Sequence, residues 1–174
     1  MISRRNLIIG VGSGLVAPLS ILPNEANALT YKANSRGDLY HDSDNVVLAR
    51  MLFGEGRSVS VGERIAIGFT PINRQKRLVE KSLTEIILHP GRYHCFNSHP
   101  EDPNFKKVLD PEEYDSNAWE KSLKIAKVIL NGKYDGVNFG QTHYHRKDSH
   151  PKWAKHMIEK LDSTGYVHQF YRGV

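Results

Sequence analysis

Cysteine is almost absent from this sequence of 174 residues, in which Cys95 is the only one. A single cysteine excludes an intrachain disulfide framework and any zinc site built on two or more thiolates. A chain of this length can bury a sizeable core without such cross-links, so we expect one folded domain.

Net charge and long hydrophobic runs are also scarce. The chain has 24 Lys and Arg residues against 19 Asp and Glu, a net charge of +5 at pH 7, and 39% of its residues are hydrophobic. This composition is typical of a globular protein and excludes a disordered chain or a protein with several membrane spans. The basic clusters are short and lack interleaved aromatic residues, so nucleic acid is not an expected partner.

The first 28 residues have the layout of a cleaved export signal. Arg4 and Arg5 precede a moderately apolar run over residues 7–22, and an Ala-Asn-Ala sequence ending at Ala28 supplies the small residues that signal peptidase needs. The arginine pair resembles a twin-arginine signal, and the run is shorter than the ~20 apolar residues of a membrane span. We therefore expect export to the periplasm or cell envelope of a bacterium, without stable membrane insertion afterwards. Loss of two arginines and one glutamate would leave a charge of +4, which suits an anionic envelope polymer.

Residues 29–43 are polar and aperiodic and are expected to form a linker, followed by a folded domain over residues 44–174. Asp44 can cap a first helix, whose apolar residues recur at helical spacing and which ends at Gly54 and Gly56. Two Ser-x-x-Glu sequences, Ser60 to Glu63 and Ser82 to Glu85, predict capping boxes at the start of two more helices. Pro71 is expected to kink the first of these or to end it early.

The remaining sequence predicts a long loop, one clear helix and a few strands. Residues 95–114 contain three prolines and are expected to form the loop, whereas residues 117–131 have clear helical periodicity with Gly132 as the C-terminal cap. Strand composition over residues 137–145 and 166–172 and a short helix over residues 152–161 complete the chain. The predicted fold class is α+β, mostly helical, with a small C-terminal β-hairpin or sheet.

Glu55 is the acidic residue with the least ordinary setting. It follows Leu48, Met51 and Leu52 at helical spacing, so it shares their apolar face in the last turn of the first helix. Desolvation and the negative end of the helix dipole both favour the protonated form of a carboxyl group there, as a glycosidic general acid requires. Gly54 and Gly56 would leave room for a ligand to approach. The alternative is a frayed helix end with Glu55 turned to solvent.

Several motifs resemble the SleB-type cell wall hydrolases, the family of the spore cortex-lytic enzymes. No single motif is specific, but their order and spacing along residues 46–172 are. The motifs are LARMLFGEG (residues 48–56), Asn73-Arg74, YHCFN (93–97), LNG (130–132), THY (142–144), PKW (151–153) and HQFY (168–171). One departure is Thr70-Pro71, which falls where relatives have an uninterrupted apolar helix.

The resemblance implies a lysozyme-like fold and cleavage of the MurNAc–GlcNAc bond of peptidoglycan, in the best-known members by lytic transglycosylation. It implies that Glu55 is the catalytic acid. It also implies a substrate groove lined by Asn97, Thr142, His143, Tyr144 and Tyr171. We expect a monomer that acts on peptidoglycan without a metal or other cofactor.

The acidic residues favour a mechanism with one carboxyl group. Ordinary glycosidases use two carboxylates at set separations. No second Asp or Glu has a setting like that of Glu55, since Glu63 and Glu85 are explained as capping residues. A lytic transglycosylase needs one group, which first protonates the glycosidic oxygen and then accepts a proton from the MurNAc 6-hydroxyl.

The sequence is also compatible with three other functions. A metallohydrolase could use His143, His145, His150 and His156, although the sequence has no HExxH motif. Cys95 could be the nucleophile of a peptidoglycan amidase or peptidase, although an exported thiol is exposed to oxidation. The domain could also bind peptidoglycan without cleaving it.

Overall fold

A computed structural model of the chain describes residues 31–78, 81–97 and 102–173. The expected export signal lies outside these residues. The described part contains helices α1 (Asp44–Gly56), α2 (Val61–Arg77), α3 (Leu83–Ile87), α4 (His94–Asn97), α5 (Pro103–Leu109) and α6 (Pro111–Leu130), with strands β1 (His143–Arg146), β2 (Glu159–Lys160) and β3 (His168–Arg172). The predicted α+β class, mostly helical with a small C-terminal sheet, is confirmed. None of the described helices is both long and apolar enough to span a bilayer.

Helix α1 is the centre of the core, and most of its residues are buried on all sides. α6, α2, α5 and α3 pack around it. Its fully buried side chains are those of Val47, Leu48, Ala49, Met51, Leu52 and Phe53. A helix surrounded in this way fixes its own last turn firmly, and Glu55 lies in that turn.

The predicted linker over residues 29–43 is wrong for its described part, residues 31–43. Leu39 is fully buried in the core, and the ring of Tyr31 packs edge-on against Trp119 with 5.1 Å between centroids. The buried guanidinium of Arg50 donates to Tyr31 O at 2.6 Å and to Asp42 Oδ2 at 2.7 Å. The contacts of Tyr31 join residues far apart in sequence, so local composition does not reveal them.

Pro71 does not end α2, which continues to Arg77. A proline cannot donate to the carbonyl four residues earlier, which here belongs to Ile67. The hydroxyl of Thr70 donates to Ile67 O instead, at 2.7 Å, so the buried carbonyl keeps a partner. The expectation that the helix ends early is therefore wrong.

Residues 95–114 were expected to form a loop, and this prediction is also wrong. Helices α4 and α5 and the first turn of α6 lie there. Pro103 and Pro111 stand at the first turn of their helices, where a missing N–H costs nothing. The helix expected over residues 117–131 is present, since the non-helical Asp115 accepts from Ala118 N and caps that part of α6. Gly132 follows it with a positive φ of 69°, as a C-terminal cap requires.

The sheet is antiparallel, with strand order β1-β3-β2. Its strands are shorter than predicted, and the helix expected over residues 152–161 is a 3-10 turn at Lys152–His156 followed by β2. In the register of β1 and β3, Tyr144 lies opposite Phe170 and His143 opposite Tyr171. Asn73 of α2 anchors the entry to β1, because its Nδ2 donates to Gln141 O at 2.9 Å and to Asn138 Oδ1 at 2.8 Å.

Candidate functional site

A cleft of about 990 Å³ opens beside the last turn of α1. The end of α2, the segment from Gly91 to Cys95 and strand β1 form its walls, and Trp153 of the following 3-10 turn contributes an aromatic side chain. Glu55 is the only acidic residue among the described residues that line it. We call this space the Glu55 cleft.

Two hydrogen bonds hold the carboxyl group of Glu55. Its Oε1 accepts from Cys95 N at 2.8 Å, and its Oε2 accepts from the Tyr144 hydroxyl at 3.0 Å. Each carboxyl oxygen has two lone pairs, so both bonds persist when the group also carries a proton. Glu55 is half-buried and helical, so the alternative of a frayed end turned to solvent is wrong.

The glycines beside Glu55 serve packing and do not make room for a ligand. A Cβ on Gly54 would lie 2.5 Å from Cys95 Cβ and 2.8 Å from Val108 Cγ1. A Cβ on Gly56 would lie 3.0 Å from Cγ of Arg64. The missing Cβ at Gly54 lets α4 approach α1 closely, and this approach brings Cys95 N within reach of Glu55.

Three neighbouring aromatic rings position Tyr144. Its ring centroid lies 6.5 Å from that of Tyr93 and 5.7 Å from that of Phe170, and the His168 ring meets it perpendicularly at 5.2 Å. Burial, and secondly the negative charge of Glu55, raise the pKa of Tyr144 well above its usual range. The phenol therefore keeps its proton and stays a donor to Glu55.

Glu63 is a buried carboxyl group and not the reciprocal half of a capping box. Ser60 Oγ does accept from Glu63 N at 3.2 Å, as predicted. The Glu63 side chain, however, turns away from the helix start, and its Oε1 accepts from His168 N at 2.8 Å and from His168 Nδ1 at 2.7 Å. Both side chains are almost fully buried, and His168 lines the Glu55 cleft. Sequence reasoning missed this pair because the partners are 105 residues apart.

Thr142, His143 and Tyr144, three of the predicted groove residues, all line the cleft. The Thr142 hydroxyl is occupied within the protein, since its oxygen accepts from Gly173 N at 2.8 Å and lies 2.9 Å from His143 Nδ1. Burial, followed by the positive charges of Arg74, Arg92 and Arg77, lowers the pKa of His143 to about 4. His143 is therefore neutral near pH 7.

Asn97 and Tyr171, by contrast, are not in the wall of the Glu55 cleft. Asn97 is exposed and its Oδ1 accepts from Gly91 N at 2.8 Å, so it closes a turn. Tyr171 is buried, and its hydroxyl lies 2.9 Å from Nε2 of His145, in a separate, smaller depression. Trp153, which the prediction of site residues omitted, lines the cleft and packs against His143 at 5.5 Å between centroids.

Residues suited to other chemistries have ordinary structural surroundings. Within residues 31–78, 81–97 and 102–173, no three His, Cys, Asp or Glu side chains converge as metal ligands. His145, one of the four histidines considered for zinc, stacks on Tyr171 at 5.4 Å between centroids. Cys95 is buried, and burial followed by the charge of Glu55 raises its pKa well above the usual range, which disfavours the thiolate that a nucleophile needs.

The motifs that resemble SleB-type hydrolases are distributed around this site. Glu55 ends α1, Arg74 lies in α2, Tyr93 precedes α4, and Tyr144 lies in β1. Arg74, Arg77 and Arg92 also line the cleft and were not among the predicted site residues. Comparison of the chain with protein-family models, with curated protein sequences and with solved structures finds no significant match in any of the three.

Proposed function

We propose that this protein cleaves the glycan strand of bacterial peptidoglycan between MurNAc and GlcNAc, with Glu55 as the general acid. The observation that carries the proposal is the setting of Glu55. Among the described residues that line the 990 Å³ cleft it is the only acid, and Cys95 N and the Tyr144 hydroxyl hold its two oxygens. A carboxyl group fixed in the wall of a large cleft suits proton transfer to a glycosidic oxygen.

The walls of the cleft suit a carbohydrate. Trp153 supplies an aromatic group, and sugar rings pack their apolar faces against such groups. The remaining walls carry guanidinium and imidazole groups, which can bond hydroxyl and N-acetyl groups. The volume is at the upper end of the range for ligand sites, as an extended strand requires.

A single acid supports lytic transglycosylation. Glu63 is the other buried carboxyl group near the cleft, but its Oε1 already accepts two bonds from His168 and it does not line the cleft. In the proposed reaction Glu55 gives its proton to the glycosidic oxygen as the bond to MurNAc C1 breaks. The carboxylate then takes the proton of the MurNAc 6-hydroxyl as that oxygen bonds to C1, so Glu55 is regenerated and no water is consumed.

The proposal extends to the fold family and the location. A catalytic glutamate at the end of a central helix, facing a small antiparallel sheet across a cleft, supports a lysozyme-like fold of the SleB type. The expected export signal supports action on the wall in the periplasm or cell envelope. The substrate partner is peptidoglycan, and the acting unit is a monomer without a cofactor.

Replacement of Glu55 by Gln tests the acid directly. Gln has the same shape and its Oε1 can still accept from Cys95 N, so we expect a folded protein that no longer releases muropeptides from purified sacculi. Glu113→Gln, at an exposed position of α6, is the matched control and keeps full activity. Mass spectrometry of wild-type products should show anhydro-MurNAc ends, which are lighter by one water than hydrolysed ends. Full activity of Glu55→Gln would overturn the assignment.

Two alternatives have clear outcomes in the same assay. If Cys95 were the nucleophile, Cys95→Ala would abolish product release, whereas we expect it to retain activity because the backbone N–H that holds Glu55 remains. A binding module would retain sacculi on a column and release no muropeptides. Peptide fragments without glycan cleavage would identify an amidase or peptidase.

A further inference from the structure

Three arginines meet at one end of the Glu55 cleft without an acidic partner. Arg74 and Arg77 come from the last turns of α2, Arg92 comes from the segment before α4, and all three line the cleft. All three lie near enough to His143 for their positive charges to contribute to its lowered pKa. Among the described residues, none of the three forms an ion pair with a carboxylate.

Without a bound anion, this cluster lowers the stability of the folded protein. Nη1 of Arg92 is buried and has no hydrogen-bond partner in the described part of the chain. Burial, and secondly the charge of Arg74, lower the pKa of Arg92, so the two guanidinium groups repel each other. A buried donor without a partner and adjacent like charges both oppose folding, and an anion placed between them would relieve both.

Arg50 and Arg64, the arginines that are buried among the described residues, have acceptors within the protein. Arg50 bonds the carboxylate of Asp42 and the carbonyls of Tyr31 and Leu109. Arg64 donates to Gly56 O at 2.8 Å and to Arg57 O at 2.7 Å. An arginine with a purely structural role thus has its acceptors inside this fold, whereas Arg92 does not.

Contacts with uncharged groups hold the cluster in place. The Arg74 guanidinium lies over the ring of Tyr93 at 5.6 Å from its centroid, and Arg77 donates to Gly173 O. Tyr93 packs against Tyr144, whose hydroxyl bonds Glu55. The rings of Tyr93 and Tyr144 therefore lie between the Arg74 guanidinium and the proposed acid.

We propose that Arg74, Arg77 and Arg92 form an anion subsite that binds a carboxylate carried by the lactyl side group of the glycan strand. The inference rests on the proposed function, because it places the acidic side group of a MurNAc residue in the same cleft as Glu55. Guanidinium groups bind carboxylates through paired hydrogen bonds. A hydroxyl or N-acetyl oxygen could also accept from Arg92 Nη1, but only an anion would in addition offset the repulsion between the Arg92 and Arg74 guanidinium groups. The carboxylate has two sources with the same chemistry: the free lactyl acid of a strand without peptides, or the first free carboxylate of an attached peptide.

The subsite is tested by binding of defined saccharides to the full chain. The chain carries Glu55→Gln, which prevents turnover. The ligands are a GlcNAc–MurNAc tetrasaccharide with free lactyl carboxylates, the same tetrasaccharide capped as methylamides, and one carrying L-Ala-D-Glu on each lactyl group. Affinities are measured by calorimetry. Since a charged hydrogen bond contributes substantially in a partly buried site, a carboxylate-bearing ligand should bind about 10-fold or more tightly than the methylamide.

Substitution of the arginines adds a second measurement. Arg92→Gln in the same background should reduce the preference for the carboxylate to about twofold or less, since one guanidinium partner of the ligand is lost. Lys127→Gln removes the same charge from the exposed face of α6 and should leave the preference unchanged. If Arg92→Gln does not fold, as judged by circular dichroism, the ligand comparison in the Glu55→Gln background decides alone.

The outcomes separate this inference from the proposed function. A tighter free lactyl acid identifies the lactyl group as the source, and a tighter dipeptide form identifies the peptide; either supports the subsite. Equal binding of all three ligands, with cleavage of sacculi by the wild-type protein, overturns the subsite and leaves the function standing. Carboxylate preference without cleavage supports the subsite and overturns the function. Absence of saccharide binding overturns the subsite, and together with absence of cleavage it overturns both.

Discussion

Removal of the Glu63 side chain should destabilise the protein far more than removal of Glu85, although both follow a serine in the same Ser-x-x-Glu pattern. Oε1 of Glu63 accepts from His168 N and His168 Nδ1, and both side chains are almost fully buried. Glu63→Ala leaves two buried donors without an acceptor, and each unpaired donor costs about 1–3 kcal/mol of stability. The sum agrees with the loss of about 3–5 kcal/mol that follows removal of one partner from a buried pair. We expect a loss of about 3–5 kcal/mol in the free energy of unfolding.

Two further variants control for the chemistry and for the position in a helix. Glu63→Gln keeps an oxygen that can accept both bonds from His168, so it should cost only about 1 kcal/mol. Glu85→Ala loses a bond from Ser82 N at 2.7 Å, but this bond is exposed and water replaces it, so its effect should be small.

Urea unfolding followed by circular dichroism measures all three variants at constant pH. The midpoint should fall most for Glu63→Ala, with the slope unchanged if folding stays two-state. A loss for Glu63→Ala no larger than that for Glu85→Ala would refute the argument that the buried pair stabilises the domain. If Glu63→Ala does not accumulate as a folded protein while Glu63→Gln does, the expected order still holds.

Two more predictions concern the wall of the cleft. Tyr144→Phe keeps the ring packing against Phe170 but removes the donor to Glu55 Oε2. The rate of muropeptide release should therefore fall about tenfold while the urea midpoint changes little. Tyr40→Phe, at an exposed position, is the control, and an unchanged rate for Tyr144→Phe would show that catalysis does not use this bond. The folded protein lowers the pKa of His143 from its ordinary value of 6.5 to about 4. Between these two pH values the unfolded chain binds a proton at His143 that the folded protein does not bind. The stability due to neutral His143 is therefore lost as the pH falls through this window. Urea midpoints between pH 7 and pH 4 should therefore fall less steeply for His143→Asn than for the wild-type protein, and equal slopes would contradict the assigned direction.

Some features of the site could be predicted from local sequence. Glu55 follows Leu48, Met51 and Leu52 at helical spacing, and this alone places it on the face of α1 that meets the rest of the domain. The helix cap at Gly132 and the capping box of Ser82 and Glu85 are equally local, because all of their contacts lie within a few residues.

Other features depend on groups that are distant in sequence. The sequence predicts Asn97 and Tyr171 in the wall of the groove, but Asn97 bonds Gly91 N and the Tyr171 hydroxyl contacts His145 instead. The direction in which each side chain points depends on how α4 and the sheet pack. Pro103 and Pro111 suggested a loop because proline is compatible both with loops and with a first helical turn, and only the packing of α5 against α1 distinguishes the two. The arginines of the anion subsite come from α2 and from the segment before α4, so their convergence has no signature in either segment.

The two Ser-x-x-Glu sequences show where local determination stops. The sequence by itself determined that Ser60 and Ser82 begin helices, because a serine hydroxyl bonds a backbone N–H three residues away whatever surrounds it. It did not determine what the glutamates do. Glu85 faces solvent and closes its capping box, whereas Glu63 faces β3, where burial beside the two donors of His168 outweighs the bond to its own helix start. Tertiary structure decided this difference, because the cost of leaving buried donors unpaired exists only once the sheet has packed against α2.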